Sequence, residues 1–339
     1  MRLCIRADGG PDIGYGHLVR SGAVAERAIE RGNEVVYATT TPDRVREVCP
    51  SAVETTTLPD RGDPGPFVKW VNEERPDVVF TDAYPVGTEY QRAVREQVPL
   101  AVYQDDARHA VCAEALVNGN LHAGDLDYEF VGTSPRTRLG TNFVPLRRRI
   151  SELAAREPPE RTNPERALVT MGGSDVANVT PLAVRAFDGT GLRVDAIVGP
   201  GFSPDQERAI IEAAANVSTD VTVVRDPDDL PERMFQADFA VSTASSTTYE
   251  LLALGTPLIS HPAVANQEPI ATALRDHELA TVLNRGADIS GFSRAVAEYV
   301  SSPETLGCRR TRGRTLVDGR GADRICTELL SLTPEDQGT

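Results

Sequence analysis

The chain has 339 residues, of which 40% are hydrophobic, 25% charged and 5% aromatic. This length and composition are typical of a soluble globular protein of about two domains and exclude a disordered or fibrous chain. The formal net charge is -15 at pH 7, which argues against a surface that binds nucleic acid or anionic lipid.

The basic side chains are unusual because Lys69 is the only lysine and the others are arginines. An acidic excess with Arg in place of Lys is typical of salt-adapted (halophilic) organisms, although a GC-rich genome also favours Arg codons. The sequence contains neither a secretory apolar segment at its start nor an apolar run long enough to cross a bilayer. We therefore expect a cytoplasmic protein without stable membrane insertion.

The first part of the chain alternates short apolar runs with amphipathic stretches. The predicted strands lie near 3–5, 34–38, 53–58, 77–80 and 99–103, and the predicted helices near 17–31, 42–48, 67–74 and 88–96. Strands that alternate with helices predict a parallel sheet covered on both faces.

The rhythm stops at residues 157–164, which are rich in proline and charge and predict an interdomain linker. It then restarts, with strands predicted near 167–170, 194–198, 221–224, 239–241 and 257–259, helices near 204–215, 246–254 and 268–277, and a mostly helical end. We predict an α/β protein of two doubly wound, Rossmann-like parallel-sheet domains that face a cleft. The predicted domains are 1–151 and 166–320, with a linker at 152–165 and a terminal helix at 321–332 that crosses back to the first domain.

The segment after the first predicted strand combines several glycines with a histidine. Glycines let the backbone approach a ligand or adopt a positive φ. His17 follows them and falls in the first turn of the next predicted helix, where the partial positive charge of the helix N-terminus favours a neutral imidazole. A neutral imidazole suits a general base, and a capping or packing role is the alternative. The segment is not the G-x-G-x-x-G fingerprint of dinucleotide binding.

Three polar turns follow successive strands of the second predicted domain. The turn at 172–175 is rich in glycine and presents backbone amides to an anion. Small hydroxylated residues at 245–247 open a helix and offer amides and hydroxyls to a diphosphate, and Glu250 could accept hydrogen bonds from a ribose diol. Ordinary N-capping is the alternative. The third turn carries the amide side chains of Asn266 and Gln267.

Together these motifs resemble those of the nucleotide-sugar hydrolases of pseudaminic-acid biosynthesis and the related spore-coat polysaccharide biosynthesis proteins. The resemblance spans nearly the whole chain and is carried by Arg6-Ala7-Asp8, Ile13-Gly14-Tyr15-Gly16-His17, Arg20, Thr81-Asp82-Ala83-Tyr84, Gln104-Asp105-Asp106, Gly172-Gly173-Ser174-Asp175, the run from Ser245 to Pro257, and Asn266-Gln267. It implies a glycosyltransferase-B-like fold. It also implies hydrolysis of UDP-2,4-diacetamido-2,4,6-trideoxy-β-L-altropyranose, or a similar UDP-linked sugar, to UDP and the free sugar.

The resemblance also implies a division of labour, in which the second domain holds UDP and the first holds the sugar and the base. His17 would direct the attacking water, Tyr84 and Asn266 would line the sugar site, and Glu250 would hold the ribose. The other substrate-binding candidates share their place in these motifs: Asp8, Gly14, Gly16, Arg20, Asp82, Asp105, Asp106, Gly172, Gly173, Ser174, Ser245, Ser246, Thr247 and Gln267.

The predicted reaction needs no metal or other cofactor, because backbone amides can hold the charge that grows on the leaving diphosphate. Asp82, Asp105 and Asp106 have the composition of a cation site, but orienting the sugar or supporting the turns is the favoured role. The main alternative is a UDP-sugar-dependent glycosyltransferase, in which an acceptor replaces water, and a third is a non-catalytic nucleotide-sugar-binding protein. Ala83 and Tyr249 depart from the family pattern, so the sugar is not specified, and neither is the oligomeric state.

Overall fold

The computed structural model describes residues 1–10, 13–159 and 162–333. The chain divides into two compact units: unit 1 contains Met1–Arg148 and the chain from Arg320 onwards, and unit 2 contains Arg149–Gly319. Of the linker predicted at 152–165, residues 152–154 end a helix, and Glu160 and Arg161 lie outside the described residues.

Unit 1 is built on a parallel sheet that has seven strands within the described residues. They are β1 (Arg2–Ala7), β2 (Glu34–Thr39), β3 (Glu54–Thr57), β4 (Val78–Asp82), β5 (Leu100–Tyr103), β6 (Ala115–Asn118) and β7 (Arg136–Leu139). Their order in the sheet is β3-β2-β1-β4-β5-β6-β7. The winding reverses between β1 and β4, and ligands of doubly wound sheets bind at the carboxyl ends of the strands at such a switch point.

Helices cover both faces of this sheet because successive residues of each strand point to opposite sides. The helices that connect the strands are α1 (Gly16–Glu30), α2 (Pro42–Val48), α3 (Pro64–Glu74) and α4 (Thr88–Arg95). Leu3 and Ile5 of β1 share a buried cluster with α1, whereas Cys4 lies in the cluster of the opposite face with Phe67 of α3 and Tyr90 of α4. The resulting two-sided core fixes where β1 and β4 end.

Unit 2 repeats the arrangement with a parallel sheet that has six strands in its described part. The strands are β8 (Arg166–Thr170), β9 (Arg193–Val198), β10 (Asp220–Arg225), β11 (Phe239–Thr243), β12 (Leu258–His261) and β13 (Ala280–Val282), in the order β10-β9-β8-β11-β12-β13. The helices are α5 (Arg148–Ala154), α6 (Thr180–Arg185), α7 (Pro204–Ala215), α8 (Leu230–Gln236), α9 (Ser246–Leu254), α10 (Glu268–Asp276), α11 (Ile289–Ser301) and α12 (Pro303–Leu316). Its switch point lies between β8 and β11.

The last helix, α13 (Gly321–Leu332), belongs to unit 1. Its residues Ile325, Cys326 and Leu329 are buried in the same cluster as β1 and α1. A Cβ added at Gly321 would lie 2.0 Å from the carbonyl oxygen of Val144, so only glycine allows the chain to pass this close. The chain therefore completes the core of its first unit after unit 2 has ended.

The predicted fold class, two doubly wound parallel sheets, is confirmed. Strands β6 and β7 were not predicted, because each has four residues and β7 is half exposed and carries Arg136 and Arg138. Helix α6, which was not among the helices predicted above, begins at Thr180 after Asn178, whose φ is 53°. None of the described helices combines the length and the apolar character needed to span a membrane.

Candidate active site

His17 lies just beyond the carboxyl end of β1, as the second residue of α1, and its relative exposure is 6%. Its Nδ1 is 2.7 Å from Oδ1 of Asp82, the last residue of β4. The sheet register puts Ala7 of β1 opposite Asp82, so the switch point itself brings the ring and the carboxylate together. A carboxylate on Nδ1 orients an imidazole and stabilises the positive charge that forms when Nε2 accepts a proton. The negative charge of Asp82 acts against the effect of the helix N-terminus, which favours a neutral ring.

Arg20, one helical turn after His17, is held between two carboxylates. Its Nε and Nη2 donate to Asp82 at 2.6 Å each, and its Nη1 and Nη2 donate to Asp105 at 2.8 Å each. Burial acts to raise the pKa of Asp82, but the charge of Arg20 and its hydrogen bonds outweigh it and hold this pKa below its usual value. Asp82 therefore stays ionised at neutral pH.

Tyr84 completes the cluster from the segment after β4. Its hydroxyl donates to Oδ2 of Asp105 at 3.3 Å, and its ring meets the His17 ring edge to face with centroids 4.6 Å apart. The guanidinium of Arg108 lies 4.0 Å from the centroid of the same ring. Burial, and then the charge of Asp105, raise the pKa of Tyr84 to about 12. The hydroxyl is therefore a hydrogen-bond donor at neutral pH.

These side chains line a small pocket that is partly open to solvent. Its space is about that of a single water molecule. Gln104 forms part of the wall, and both polar atoms of its side chain are buried without a hydrogen-bond partner among the described residues. The sequence analysis noted Gln104 only as part of a motif and did not select it as a site residue.

Other members of this cluster were also missed. Asn120 donates to Oδ1 of Asp105 at 3.1 Å, and the ring of Tyr103 lies 4.3 Å from the guanidinium of Arg20. A Cβ at Gly119 would lie 2.7 Å from the carbonyl oxygen of Phe143, so glycine is needed to bring Asn120 into place. The sequence signal that could have identified Asn120 was the strand β6 that precedes it. Because β6 was not predicted, nothing in the sequence connected Asn120 with the site.

The glycine-rich loop before His17 is closed at its base. The amide of Gly14 donates to the carbonyl oxygen of Gly10 at 2.7 Å, and Gly14 has a φ of 86° that favours glycine. Pro11 and Asp12 lie outside the described residues. A Cβ added at Gly14 or Gly16 would meet nothing within 4 Å, so packing within the described chain does not require a glycine at position 16.

Two of the predicted carboxylates lie apart from the His17 network. Asp8 is 1% exposed and accepts from Arg6 Nη1 and from the amide of Thr40, both at 2.7 Å, which ties the end of β1 to the end of β2. Asp106 lines the pocket but forms a charged pair with Arg108, 2.6 Å from Nη2 to Oδ2. The structure thus brings together His17, Arg20, Asp82, Tyr84 and Asp105.

In unit 2, the turns after β8 and β11 lie side by side at the switch point. Gly172 has a φ of 79°, and a Cβ added to it would lie 3.6 Å from Thr247 Oγ1 and 3.9 Å from Ser245 Oγ. A Cβ at Gly199 would lie 2.4 Å from the carbonyl oxygen of Gly172 and 2.8 Å from that of Gly173. Because the loop after β9 comes this close to the backbone of the turn after β8, position 199 requires a glycine.

The second turn forms the N-terminus of the nine-residue helix α9. Ser245 is the residue before the first turn and makes no side-chain capping bond, and its hydroxyl instead accepts from Thr243 at 3.2 Å. Ser246 and Ser174 are exposed, whereas Thr247 and Glu250 are buried. Amides at such a helix end favour negative charge, so the paired turns offer a surface suited to a diphosphate.

The third predicted turn follows β12, the neighbour of β11. Gln267 accepts the amide of Ala263 at 2.7 Å through Oε1, while Asn266 is exposed. Gln267 thus shapes its own turn, and Asn266 is left available to a ligand.

The sheet of unit 2 also carries buried polar atoms that sequence reasoning did not select. Ser242 and Ser260 face each other across β11 and β12, and their hydroxyls have no hydrogen-bond partner among the described residues. His261 donates through Nε2 to the carbonyl oxygen of Arg285 at 3.1 Å, and its Nδ1 is buried without a partner in the same ranges. Burial lowers the pKa of His261, so the ring is neutral. Hydroxylated and histidine residues inside a strand give no sequence signal beyond ordinary core positions.

Metal ligation was also considered. Across the described ranges, no group of three or more His, Cys, Asp and Glu side chains is arranged to hold a metal ion. Asp82 and Asp105, which have the composition of a cation site, are both bound to Arg20.

The two Rossmann-like units, each with a polar switch point, define a fold of the glycosyltransferase-B class, as the sequence predicted. MurG from Acinetobacter baumannii superposes with a TM-score of 0.68 at 14% identity, over 97% of this chain and 99% of that one. The calicheamicin glycosyltransferase CalG4 superposes with a TM-score of 0.69 at 15% identity, over 100% of both chains. Likeness at such identity establishes the fold.

At the level of sequence, no family model matches the chain. It is 22% identical to the spore coat polysaccharide biosynthesis protein SpsG of Bacillus subtilis, over 99% of this chain and 100% of that protein. It is 20% identical to a UDP-2,4-diacetamido-2,4,6-trideoxy-beta-L-altropyranose hydrolase of Campylobacter jejuni, over 81% of this chain and 96% of that protein. An uncharacterised protein of Methanocaldococcus jannaschii is 21% identical over 76% of this chain, which spans 55% of that protein's length.

Proposed function

We propose that this protein hydrolyses a UDP-linked deoxy-diacetamido sugar to UDP and the free sugar, in nonulosonic (pseudaminic) acid or surface-polysaccharide biosynthesis. The observation that carries the proposal is the contact of 2.7 Å between His17 Nδ1 and Asp82 at the switch point of unit 1. A buried histidine oriented by a carboxylate and bordering a pocket is the arrangement expected of a general base.

In the proposed reaction, Nε2 of His17 takes a proton from water while the water oxygen attacks the anomeric carbon of the sugar. The bond from this carbon to the diphosphate oxygen breaks, and the electron pair leaves with UDP. Asp82 stabilises the imidazolium, which later returns its proton to solvent. Tyr84, whose hydroxyl is protonated, and Asn266 bind polar groups of the sugar.

Unit 2 is proposed to hold UDP. The amides of the turns at Gly172 and at Ser245–Thr247 would bind the diphosphate, and the closeness of these turns supports a single site for both phosphates. Glu250, buried one turn into α9, would accept hydrogen bonds from the ribose hydroxyls. Gly173, Ser174, Ser246 and Gln267 would border the same site.

The distant relatives support this choice of substrate. The C. jejuni relative is named as a UDP-diacetamido sugar hydrolase, and the B. subtilis relative is named as a polysaccharide biosynthesis protein. The second candidate is a UDP-sugar-dependent glycosyltransferase, which the structural likeness to MurG and CalG4 favours. In that case a hydroxyl of an acceptor would lose its proton to His17 in place of water.

The deciding experiment is to incubate the purified protein with the UDP-diacetamido altrose derivative and without any acceptor, in low and in high salt. We expect stoichiometric release of UDP and free sugar, and release that is about 10²- to 10⁴-fold slower from the His17→Gln variant. High salt is included because the predicted salt adaptation would make dilute buffer inhibitory. Turnover that requires an added acceptor would establish the transferase and overturn the hydrolase.

A further inference from the structure

We propose that Arg20 and Asp105 are positioning residues, which hold His17 as a neutral ring with its proton on Nδ1, and that Arg20 does not bind the nucleotide. This differs from the sequence prediction, which places both residues among the substrate ligands. The expected effect of Arg20 and Asp105 on turnover rests on the proposed function. The protonation state of the His17 ring does not depend on that function and can be measured without any substrate.

The number of hydrogens on Nη2 of Arg20 determines which tautomer His17 adopts. Nη2 of Arg20 carries two hydrogens and has three acceptors in reach: Asp82 Oδ1 at 2.6 Å, Asp105 Oδ2 at 2.8 Å and His17 Nδ1 at 2.9 Å. The two ionised carboxylates take both hydrogens, since charge-assisted bonds are the stronger ones. Nδ1 of His17 must then donate its own hydrogen to Asp82 Oδ1, which lies at 2.7 Å.

This tautomer leaves the lone pair of the ring on Nε2. Among the described residues, no hydrogen-bond partner is found for that atom, and the ring borders the pocket. The base is thus available to a water molecule, whereas the opposite tautomer would present a hydrogen there.

Arg20 also balances charge around the ring. The charged and titratable side chains that line the pocket with His17 come from its own helix, from the segment after β4, from β5 and from the segment after β5: Arg20, Tyr84, Tyr103, Asp105, Asp106, Arg108 and His109, with Asp82 in direct contact. Without Arg20, the carboxylates of Asp82 and Asp105 would lose the cation that both of them contact.

Asp105 holds Arg20 from the side opposite Asp82. Its Oδ1 accepts from Asn120 and its Oδ2 from Tyr84, so the carboxylate is itself fixed. Four of the five guanidinium hydrogens of Arg20 are used within the protein, and the side chain is 14% exposed. A phosphate held in the bidentate manner needs two free donors in one plane, and Arg20 has only one left.

The first test is a long-range 1H–15N correlation spectrum of the wild-type protein, in which the His17 signals are assigned by their loss in His17→Gln. We expect a neutral ring protonated on Nδ1 at neutral pH. A ring protonated on Nε2 overturns the proposal, and this result stands whether or not the protein hydrolyses any sugar.

The second test is the Arg20→Ala variant, with Arg92→Gln as the control because Arg92 pairs with Glu89 on the surface of α4. We expect kcat to fall about 100-fold and the Kd for UDP to change less than about twofold. Guanidinium ions should restore the activity of Arg20→Ala about tenfold, whereas sodium ions should not. Loss of UDP affinity equal to the loss of kcat, or absence of rescue in a folded variant, would make Arg20 a ligand or a structural residue. Wild-type protein that releases no UDP would instead refute the proposed function and leave the first test decisive.

Discussion

In both units the central strands end at a switch point of the sheet, but the side chains that lie at the two switch points differ in chemistry. At the switch point of unit 1, a histidine and an arginine are surrounded by ionised carboxylates with contacts of 2.6 to 2.8 Å. At the switch point of unit 2, glycines, hydroxyls and backbone amides lie together at Gly172, Ser245 and Thr247. One fold is thus used twice, once for a charged network and once for a neutral surface.

The difference shows which half can do chemistry. A charged network holds a proton acceptor in one orientation, and it does so at the cost of burying charges that must be paired. Amides and hydroxyls at a helix end bind an anion without a charge of their own. We therefore expect substitutions in unit 1 to change turnover and stability, and substitutions in unit 2 to change affinity for the nucleotide.

The largest effect is expected for His17→Gln. Glutamine keeps a hydrogen-bonding side chain but cannot accept the proton, so kcat should fall about 10²- to 10⁴-fold. The Kd for UDP, measured by calorimetry, should change less than about twofold, because the proposed UDP site lies in unit 2. His277→Gln is the control, since His277 is exposed and lies in unit 2. Equal losses of kcat and affinity would remove the proposed division between the units.

The next largest effect concerns stability, and it tests whether Asp8 is a structural residue and not a substrate-binding one. Asp8→Asn leaves the fully buried Arg6 without its partner, so the free energy of unfolding should fall by about 3 to 5 kcal/mol. The measurement is urea unfolding followed by Trp70 fluorescence, because the single tryptophan lies in α3 of unit 1. The exposed control Asp43→Asn should cost less than about 0.5 kcal/mol. A stable Asp8→Asn protein with weakened substrate binding would show that Asp8 binds the substrate, as the sequence predicts.

The same charges make unit 1 sensitive to acid. Burial acts to raise the pKa of Asp8, but the charge of Arg6 outweighs it and lowers this pKa, as Arg20 does for Asp82. A carboxylate with a lowered pKa contributes stability above its unfolded pKa, near pH 4, and loses it as the pH falls further. Trp70 fluorescence should therefore change before far-UV circular dichroism is fully lost. Coincident transitions would mean that both units share one acid-sensitive element.

The sequence predicted the polar turns of unit 2 better than the charged network of unit 1. The alternation of apolar runs and amphipathic stretches was sufficient for the two sheets, and glycines and small hydroxylated residues after β8 and β11 marked the neutral turns, because strand ends and helix starts have local signals. The place of Asp82 beside His17 depends on β1 and β4 being neighbours, which parallel-strand order allows but does not require.

The rest of the charged network could not be predicted from local pattern. Arg20 was expected to bind substrate because of its place in a motif of the family that the sequence resembles, and its two carboxylate partners are 62 and 85 residues away. Asn120 depends on β6, a short strand without clear periodicity. Contacts between residues far apart in the chain therefore account for what was missed.

A smaller effect is expected for Gly172→Ala in the neutral half. A positive φ costs an alanine roughly 1 kcal/mol, and the added Cβ would enter the space between the two turns, 3.6 Å from Thr247 Oγ1. The Kd for UDP should rise about tenfold, as expected for roughly 1.4 kcal/mol, while kcat at saturation changes less. Gly189→Ala is a matched control, because Gly189 has a φ of 75° in the same unit and open space around it. Equal effects of both variants on UDP binding would show that backbone strain alone is responsible.

The smallest effect is expected for Glu250→Gln, and it tests whether the buried carboxylate of α9 binds the ribose. A hydroxyl that donates to a carboxylate is bound more strongly than one that donates to an amide, by about 1 kcal/mol. Affinity for UDP should thus fall roughly fivefold, while affinity for 2′-deoxy-UDP falls less, so that the preference for the ribose form shrinks. The exposed Glu212→Gln in α7 of the same unit is the control. Equal losses for both nucleotides would mean that Glu250 stabilises α9 and does not bind the ribose.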